Sequence, residues 1–396
     1  MIEEITSTNV KDELQDASVA LIYLTSCAIH RKIPDKQKLE VMDLYKILGT
    51  AEFHSLSAIS YMALEAADVF KDSDNELARK WKQLKEIEVR KNILLDAECV
   101  EICKNMEHEG IWYMPLKGIV LKDLYPKVGM RQMTDVDILF DIDSQQKVRD
   151  IMEERGFLAV SVGQANHDIY EKKPVYNFEM HTALYGSQND SGWVRYYQNV
   201  KERLITDENK QFGYHFSDED FYIYLVTHAC RHYNDGGTGL RSLLDIYVYL
   251  LEKESSLDWN YMFGELKKLR VADFERNSRE LAKKIFSRKI CELTEKEGLL
   301  LKYFLGSGTY GTLKNQVANR VHEYKSDQQP IKIGAKKTYI IKRLFPEEYH
   351  YRGYAPFVYK HRWFKPFYLV YRVIRGVLCN GRNIFKELWL VFKIKE

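Results

Sequence analysis

Two aspartates separated by a single residue, Asp135 and Asp137, have the spacing that most directly indicates a site for catalysis or metal binding. They stand in a segment where acidic and apolar residues alternate with a period of two, which predicts a β-strand. Residues two apart on a strand point to the same side, roughly 6.5–7 Å from each other, while Val136 and Ile138 would enter the core. Two such carboxylates can bind Mg²⁺, which completes its octahedron with water and substrate phosphates. The same pattern also occurs on the solvent face of ordinary strands.

Three neighbouring features favour metal binding. Lys117 and Gly118 stand between a predicted strand and a predicted helix, where glycine lets a phosphate approach the backbone and a helix N-terminus favours anions. Glu179 lies in a later predicted strand and could supply a third carboxylate. Arg131, just upstream of the aspartates, is a permanent cation. Together these residues predict a site for a metal and the phosphates it binds.

Four histidines are candidate substrate contacts. His228 and His232 are four residues apart and therefore share one helical face, an arrangement that can also bind zinc or serve ordinary packing. His167 and His181 flank Glu179 in sequence and could lie near the metals. A histidine there could order water or touch a phosphate, or it could be a hydrogen-bonded wall residue.

The segment that follows the histidine pair has a structural interpretation. The glycines at 236, 237 and 239 lie between helices and not after a strand, so they predict a loop and not a dinucleotide fingerprint. Arg241 and Asp245 are four apart and predict an ion pair on a helix surface. Neither feature adds a catalytic group.

These motifs together resemble the nucleotidyltransferases of the polymerase-β type, which share a glycine-containing strand–helix turn, a strand with Asp-x-Asp and a later carboxylate. More narrowly, the chain resembles a bacterial family of uncharacterised nucleotidyltransferases often found beside polysaccharide genes. The resemblance covers most of the chain and is strongest over residues 109–185. The matching positions are Pro115 to Gly118, Arg131, Asp135 to Leu139, Glu179 to His181, His228, His232, Arg241, Asp245 and the closing segment 344–375.

The resemblance implies Mg²⁺-dependent transfer of a nucleotidyl group from a nucleoside triphosphate to an acceptor, with release of pyrophosphate. It implies that Asp135, Asp137 and Glu179 bind two Mg²⁺ ions and that Glu179 helps to deprotonate an acceptor hydroxyl. Lys117 and Arg131 would neutralise the phosphates, where electrostatic stabilisation dominates catalysis. The acceptor stays open among a sugar, a glycan precursor, a protein side chain and an RNA end, and the base of the triphosphate stays open too.

One departure from the wider superfamily concerns the turn. The superfamily has Gly-Ser or Gly-Gly close to the acidic pair, whereas sixteen residues separate Gly118 from Asp135 here. Lys117 would then replace the serine contact to the phosphate. Two alternatives to catalysis stay open: a catalytically silent module that senses nucleotide, and a membrane-surface scaffold that acts through a basic tail.

The elements around the motifs predict an α+β fold, with a small mixed-sheet nucleotidyltransferase domain flanked by helical regions. Apolar residues at spacings of three and four predict helical regions over 1–108 and 217–305. The order of strands and helices over 109–185 predicts the nucleotidyltransferase core. Residues 306–335 have few large apolar side chains and predict a mobile loop, and residues 336–396 predict a basic, aromatic helical segment.

Charge is distributed unevenly along the chain. The net charge is +2, but residues 331–396 hold 15 Lys and Arg against 4 Asp and Glu. Such a segment can meet phosphates or an anionic membrane surface, so residues 363–396 are the candidate for peripheral membrane contact. Its high aromatic content favours packing on the helical domain. The side chains expected to be partly packed, on the helical domain or at a lipid interface, are Phe364, Phe367, Leu369, Tyr371 and Ile374.

The remaining composition indicates a cytoplasmic protein. Hydrophobic residues make up 45% and aromatic residues 13% of the 396 residues, which excludes general disorder. The six cysteines are scattered and form no CxxC pair, so neither a zinc knuckle nor a disulfide framework is indicated. The first fourteen residues contain no apolar stretch typical of a secretory signal. These features predict a reducing compartment, with membrane association at most peripheral.

Overall fold

The computed structural model describes residues 16–71, 75–163, 165–186, 189–287, 289–326, 334–348, 350–351 and 355–394. The N-terminal helices are α1 (Ala17–Ile29), α2 (Lys36–Leu39), α3 (Leu44–His54), α4 (Ser57–Ala66) and α5 (Glu76–His108). The sheet region contains β1 (Tyr113–Leu116), α6 (Gly118–Leu121), β2 (Val136–Phe140), α7 (Gln145–Glu154), β3 (Leu158–Ser161), β4 (His167–Lys172) and β5 (Tyr176–His181). Then follow α8 (Ser191–Tyr196), β6 (Ile205–Thr206), β7 (Tyr214–His215), α9 (Asp218–Asp235), α10 (Leu240–Lys253), α11 (Trp259–Lys268), α12 (Ala272–Phe286) and α13 (Glu295–Ser307). The last helices are α14 (Leu313–Ser326), α15 (Ala335–Leu344), α16 (Pro356–Lys360) and α17 (Lys365–Lys393).

The main sheet has five strands in the order β1-β2-β5-β4-β3. Strand β2 is antiparallel to β1 and parallel to β5, and the remaining neighbours are antiparallel. The register sets Asp137 opposite Glu179 and Leu139 opposite His181. The α+β class predicted from the sequence is therefore confirmed, with a small mixed sheet among many helices.

Both faces of strand β2 are buried. Val136, Ile138 and Phe140 join a hydrophobic cluster with residues of α5 and α7. Leu139 joins a second cluster, with residues of α9 and α10. Because side chains alternate along a strand, Asp137 shares the face of Leu139 and lies on the α9 side of the sheet, with only 3% of its surface exposed.

The N-terminal helices share one hydrophobic cluster with α10, α12 and α13, although these lie far apart in sequence. The Ser26 hydroxyl on α1 donates to the carbonyl of Phe286 at the end of α12, 2.6 Å away and 260 residues along the chain. Asp16 caps the N-terminus of α1, because its carboxylate accepts from the backbone N–H groups of Ser18 and Val19. The four predicted regions stay predictions, but the first and the third are packed together.

The prediction of a mobile loop over 306–335 is wrong for residues 313–326, which form α14. Val317 and Val321 are four apart on this helix and bury against Tyr339 of α15 and Val391 of α17. A stripe of two valines in a polar segment is a weak helical signal, so the sequence pattern missed it. Residues 327–333 lie outside the described residues.

Helix α17 presents most of its apolar side chains to solvent. Phe367, Tyr371 and Ile374 are 63%, 55% and 54% exposed, so the prediction that they pack on the helical domain is wrong, and the alternative of a lipid interface stays a prediction. Phe364 and Leu369 are half-buried, as predicted. None of the helices in the described ranges is long and apolar enough to cross a membrane.

Candidate active site

The turn between β1 and α6 brings Lys117 to the acidic pair. Lys117 has φ of 50°, an unusual value for a residue with a side chain. Such conformations cost about 1–3 kcal/mol and cluster at ligand sites. Because β1 pairs with β2 so that Leu116 lies opposite Asp137, the ammonium of Lys117 reaches the Oδ1 atom of Asp137 at 2.6 Å.

Asp137 binds two cationic partners through the same oxygen. Besides Lys117, the Nε2 atom of His181 lies 2.8 Å from Oδ1, and no described residue bonds Oδ2. Burial alone would raise the pKa of Asp137, but Lys117 and His181 outweigh it and hold this pKa below its usual range. Burial would lower the pKa of His181, but its bonds to Asp137 and Glu179 outweigh burial and raise this pKa, which favours the protonated ring.

Asp135 differs from Asp137 in having no protein partner. It is half-buried and makes no hydrogen bond or ion pair with any residue that the structure describes. Burial, together with the negative charges of Asp137 and Glu179, raises the pKa of Asp135 to about 6. An acidic group without a partner beside two other carboxylates is an arrangement that a cation would stabilise.

Glu179 and two histidines form a compact group beside the aspartates. The Oε2 atom of Glu179 lies 3.4 Å from Nε2 of His181 and 3.7 Å from Nε2 of His167. The ligand atoms of these three residues all lie within 4.8 Å of one another, close enough to hold one metal ion. Nitrogen ligands suit transition metals better than Mg²⁺, so this group by itself does not favour magnesium.

Arg131 forms a buried ion pair beside the turn that contains Lys117 and Gly118. Its guanidinium donates to both carboxylate oxygens of Asp245 at 2.9 Å, and the Tyr125 hydroxyl donates to Oδ1 of Asp245 at 2.7 Å. A Cβ atom at Gly118 would lie 2.5 Å from Nη1 of Arg131, so the glycine makes room for this side chain. The predicted surface pair of Arg241 with Asp245 is wrong, since Asp245 is buried and pairs with Arg131.

The histidine pair of α9 faces the sheet across a cleft. The Nε2 atoms of His228 and His232 lie 3.1 Å apart, and Arg231 approaches His232 at 3.2 Å. Burial, together with the positive charge of Lys117, lowers the pKa of His228 well below its usual value. Burial, together with Arg231, lowers the pKa of His232 to about 4. Both rings are therefore neutral at pH 7, and one donates to the other.

A segment that the sequence interpretation missed forms the roof of the cleft. This roof segment, residues 308–312, follows α13, and its Tyr310 hydroxyl contacts the hydroxyl of Thr134 beside Asp135. The Arg241 guanidinium lies over the Tyr310 ring, 6.0 Å from its centre. The Gly-Thr-Tyr-Gly-Thr sequence was the available signal, because glycines on both sides of an aromatic residue permit tight backbone contacts.

The cleft has a volume of about 210 Å³. Of the predicted site residues, its walls contain Lys117, Gly118, Arg131, Asp135, Asp137, Glu179, His228 and His232. His167 and His181 do not line the cleft and contact the carboxylates from behind. The predicted residues therefore lie close together, with eight of them lining the cleft and His167 and His181 in contact with the carboxylates outside its lining. Their individual roles stay predictions.

A mixed sheet with Asp137 and Glu179 on neighbouring strands, Asp135 just before β2 and Lys117 at the adjoining turn is the arrangement expected of a nucleotidyltransferase. The family model described as uncharacterised nucleotidyltransferase matches residues 41–287, more than half of the chain. The chain therefore belongs to this family, and the predicted family is confirmed. The roof segment and the segment 344–375 lie outside the matched range, so the resemblance of 344–375 stays a prediction. No curated protein and no solved structure shows significant similarity to the chain.

Proposed function

We propose that the protein transfers a nucleotidyl group from a nucleoside triphosphate to an acceptor hydroxyl, with Mg²⁺ as cofactor. Family membership indicates nucleotidyl transfer in general, and the donor, the metal and the acceptor class are the finer content of the proposal. The observation that carries it is the convergence of Asp135, Asp137 and Glu179 with Lys117 on one wall of the cleft. Carboxylates and an ammonium together are what a metal-bound triphosphate requires.

The residues present fit a hard divalent cation. Asp135 has no hydrogen-bond or ion-pair partner among the described residues, and Asp137 offers the Oδ2 atom that none of them bonds. Together with Glu179, they provide oxygen ligands of the kind that Mg²⁺ binds alongside water and phosphate. When bound, the metal would neutralise charge on the phosphates as pyrophosphate leaves.

The reaction needs few covalent events. The acceptor oxygen forms a bond to the α-phosphorus, the bond from that phosphorus to the bridging oxygen breaks, and pyrophosphate takes the electron pair. The side chain of Glu179 is 21% exposed and can accept the hydroxyl proton. Burial would raise the pKa of Glu179, but its contact with His181 outweighs burial and lowers this pKa, which keeps the carboxylate ionised before the proton is transferred. Lys117 neutralises phosphate charge as a point cation.

Arg131 has a positioning role in this proposal. Its guanidinium is bound to Asp245 and packs over Gly118, so it fixes the turn that carries Lys117. Only Nη1 lies toward Gly118, and both bonds to Asp245 use the other nitrogens.

A nucleotide-sensing module without catalysis is the second candidate. The observation that favours it is the neutralisation of Asp137 by Lys117 and His181, since both cations compete with a metal for the same oxygen. In that case the cleft binds a triphosphate but no bond is broken. Binding and label transfer distinguish the two candidates.

The test is label transfer from each of four α-³²P-labelled triphosphates, with Mg²⁺ and cell extract as the source of acceptor. We expect a labelled product with the wild type, and at least about 100-fold less with Asp137→Asn. Asp143→Asn, an exposed aspartate outside the cleft, is the matched control. Triphosphate binding by calorimetry without any label transfer would support the sensing module instead. Absence of both binding and transfer would refute both functions.

A further inference from the structure

Helix α17 carries an unpartnered apolar stripe along its whole length. In its first half, the exposed apolar residues are Phe367, Val370, Tyr371, Val373, Ile374, Val377 and Leu378. In its second half, after a kink at Asn380, they are Phe385, Leu388, Trp389 and Phe392. At 3.6 residues per turn, the first set falls within about 160° of the helix circumference and the second within about 100°. The stripe is therefore continuous in each half and is not a scatter of single exposed residues.

Basic residues border the stripe, and acidic residues are nearly absent. Residues 355–394 contain eight Lys and Arg and one acidic residue, Glu387. Glu387 is buried, where it accepts from the Tyr339 hydroxyl at 2.7 Å and from Arg343 at 2.8 Å. The charge that the helix presents to its surroundings is therefore entirely positive.

The rest of the protein holds the helix with this stripe outward. Val391 packs against Val317 and Val321 of α14, and Glu387 binds two residues of α15. These contacts use one side of the helix and leave the apolar stripe open. With 29 residues at 1.5 Å each, the two halves of the helix together measure about 43 Å along their axes.

We propose that the apolar stripe of α17 binds the surface of an anionic lipid bilayer. An amphipathic helix with aromatic and aliphatic residues on one face and Lys and Arg beside it lies in the interface, with its apolar face roughly 5–10 Å deep. The positive charges complement anionic headgroups. A second copy of this helix would instead bring the two cationic borders together, so charge favours lipid as the occupant. The proposal does not depend on the proposed function.

The test is co-sedimentation of the full chain with vesicles of phosphatidylcholine containing 30% phosphatidylglycerol, compared with phosphatidylcholine alone. We expect binding to the anionic vesicles that weakens as salt rises, and little binding to the neutral ones. Leu378→Glu, at a residue 79% exposed in the stripe, should reduce binding at least tenfold. Leu299→Glu, at a residue 53% exposed on α13, is the matched control and should leave binding unchanged.

Tryptophan fluorescence gives an independent readout. The Trp389 indole is in the stripe and 55% exposed, so its emission should shift to shorter wavelength on vesicles, and Trp389→Phe should remove that shift. Absence of sedimentation with anionic vesicles would overturn the proposal, as would binding that Leu378→Glu and Leu299→Glu reduce equally. A dimer in sedimentation equilibrium that Leu378→Glu dissociates would show that a second copy covers the stripe, and it would overturn the lipid assignment.

Discussion

Replacement of Asp135 by asparagine should make the protein more stable and abolish label transfer. Asp135 is half-buried, faces two other carboxylates and has no partner in the described part of the chain. Asparagine keeps the shape and removes the charge, so the folded protein loses a repulsion while the proposed metal site loses a ligand. A gain in stability with a loss of activity is expected where a site is strained for function.

The size of the gain follows from the shifted pKa. Burial and the neighbouring carboxylates raise the pKa of Asp135 to about 6. The unfolded value is about 3.9, and a difference of about two units corresponds to at most about 3 kcal/mol. Because the side chain is only half-buried, we expect about 1–3 kcal/mol. The charged form is the one that destabilises the fold, so the gain should be absent below pH 4, grow between pH 4 and 6, and stay constant above.

The assay is urea unfolding of wild type, Asp135→Asn and the control Asp143→Asn at several pH values, without divalent metal. Addition of Mg²⁺ should raise the wild-type midpoint and leave that of Asp135→Asn nearly unchanged. The reasoning is refuted if Asp135→Asn is less stable than wild type at pH 7.5, or if the difference between them does not change with pH.

Two further predictions test other parts of the molecule. Lys117→Ala should weaken triphosphate affinity by about 10- to 100-fold in calorimetry with Mg²⁺, because a charge-assisted contact contributes about 1.5–3 kcal/mol. The control is Lys147→Ala, at an exposed lysine. A dissociation constant of Lys117→Ala equal to that of the control would show that Lys117 is not part of the site. His54 is buried, and burial lowers its pKa to about 4. The unfolded chain takes up a proton near pH 6.5 that the native His54 does not, so stability should fall by about 2 kcal/mol between pH 7 and pH 5. His54→Gln should remove that part of the pH dependence in urea unfolding, and an identical pH dependence in this variant would contradict the assignment.

The strands of the site could be predicted from sequence because their side chains alternate. The strand predicted before Lys117, the strand of the acidic pair and the strand of Glu179 correspond to β1, β2 and β5, and Asp137 lies beside Glu179 as expected. Period-two patterning separates the two faces of a strand, so it identifies β2 even though both of its faces are buried. The parallel pairing of β2 with β5 brings the acidic pair and Glu179, which are distant in sequence, together in one site.

The partner choices inside the site could not be predicted. Arg131 pairs with Asp245 over a separation of 114 residues, whereas sequence spacing alone suggested Arg241. Tyr310 closes the cleft from a segment whose pattern predicted a mobile loop. Both contacts arise from the packing of distant helices on the sheet, and short-range spacing contains no information about that packing.

The predicted packing of the C-terminal segment failed for a different reason. Aromatic residues at helical spacing predict a buried face only if a partner surface exists. On α17, Val391 and Glu387 are buried against the rest of the protein, whereas Phe367 and Tyr371 are exposed to solvent. Amphipathic patterning identifies the apolar side of a helix but does not identify what covers it.

The core that α1 shares with α12 has a consequence for synthesis of the chain. Ser26 leaves the ribosome 260 residues before its partner Phe286. At about 5–20 residues per second, the part of α1 that packs on α12 stays without this partner for roughly 13–50 s, while α3 and α4, which share the same cluster, follow α1 directly in the chain. The shared core is therefore completed only after α12 has been translated.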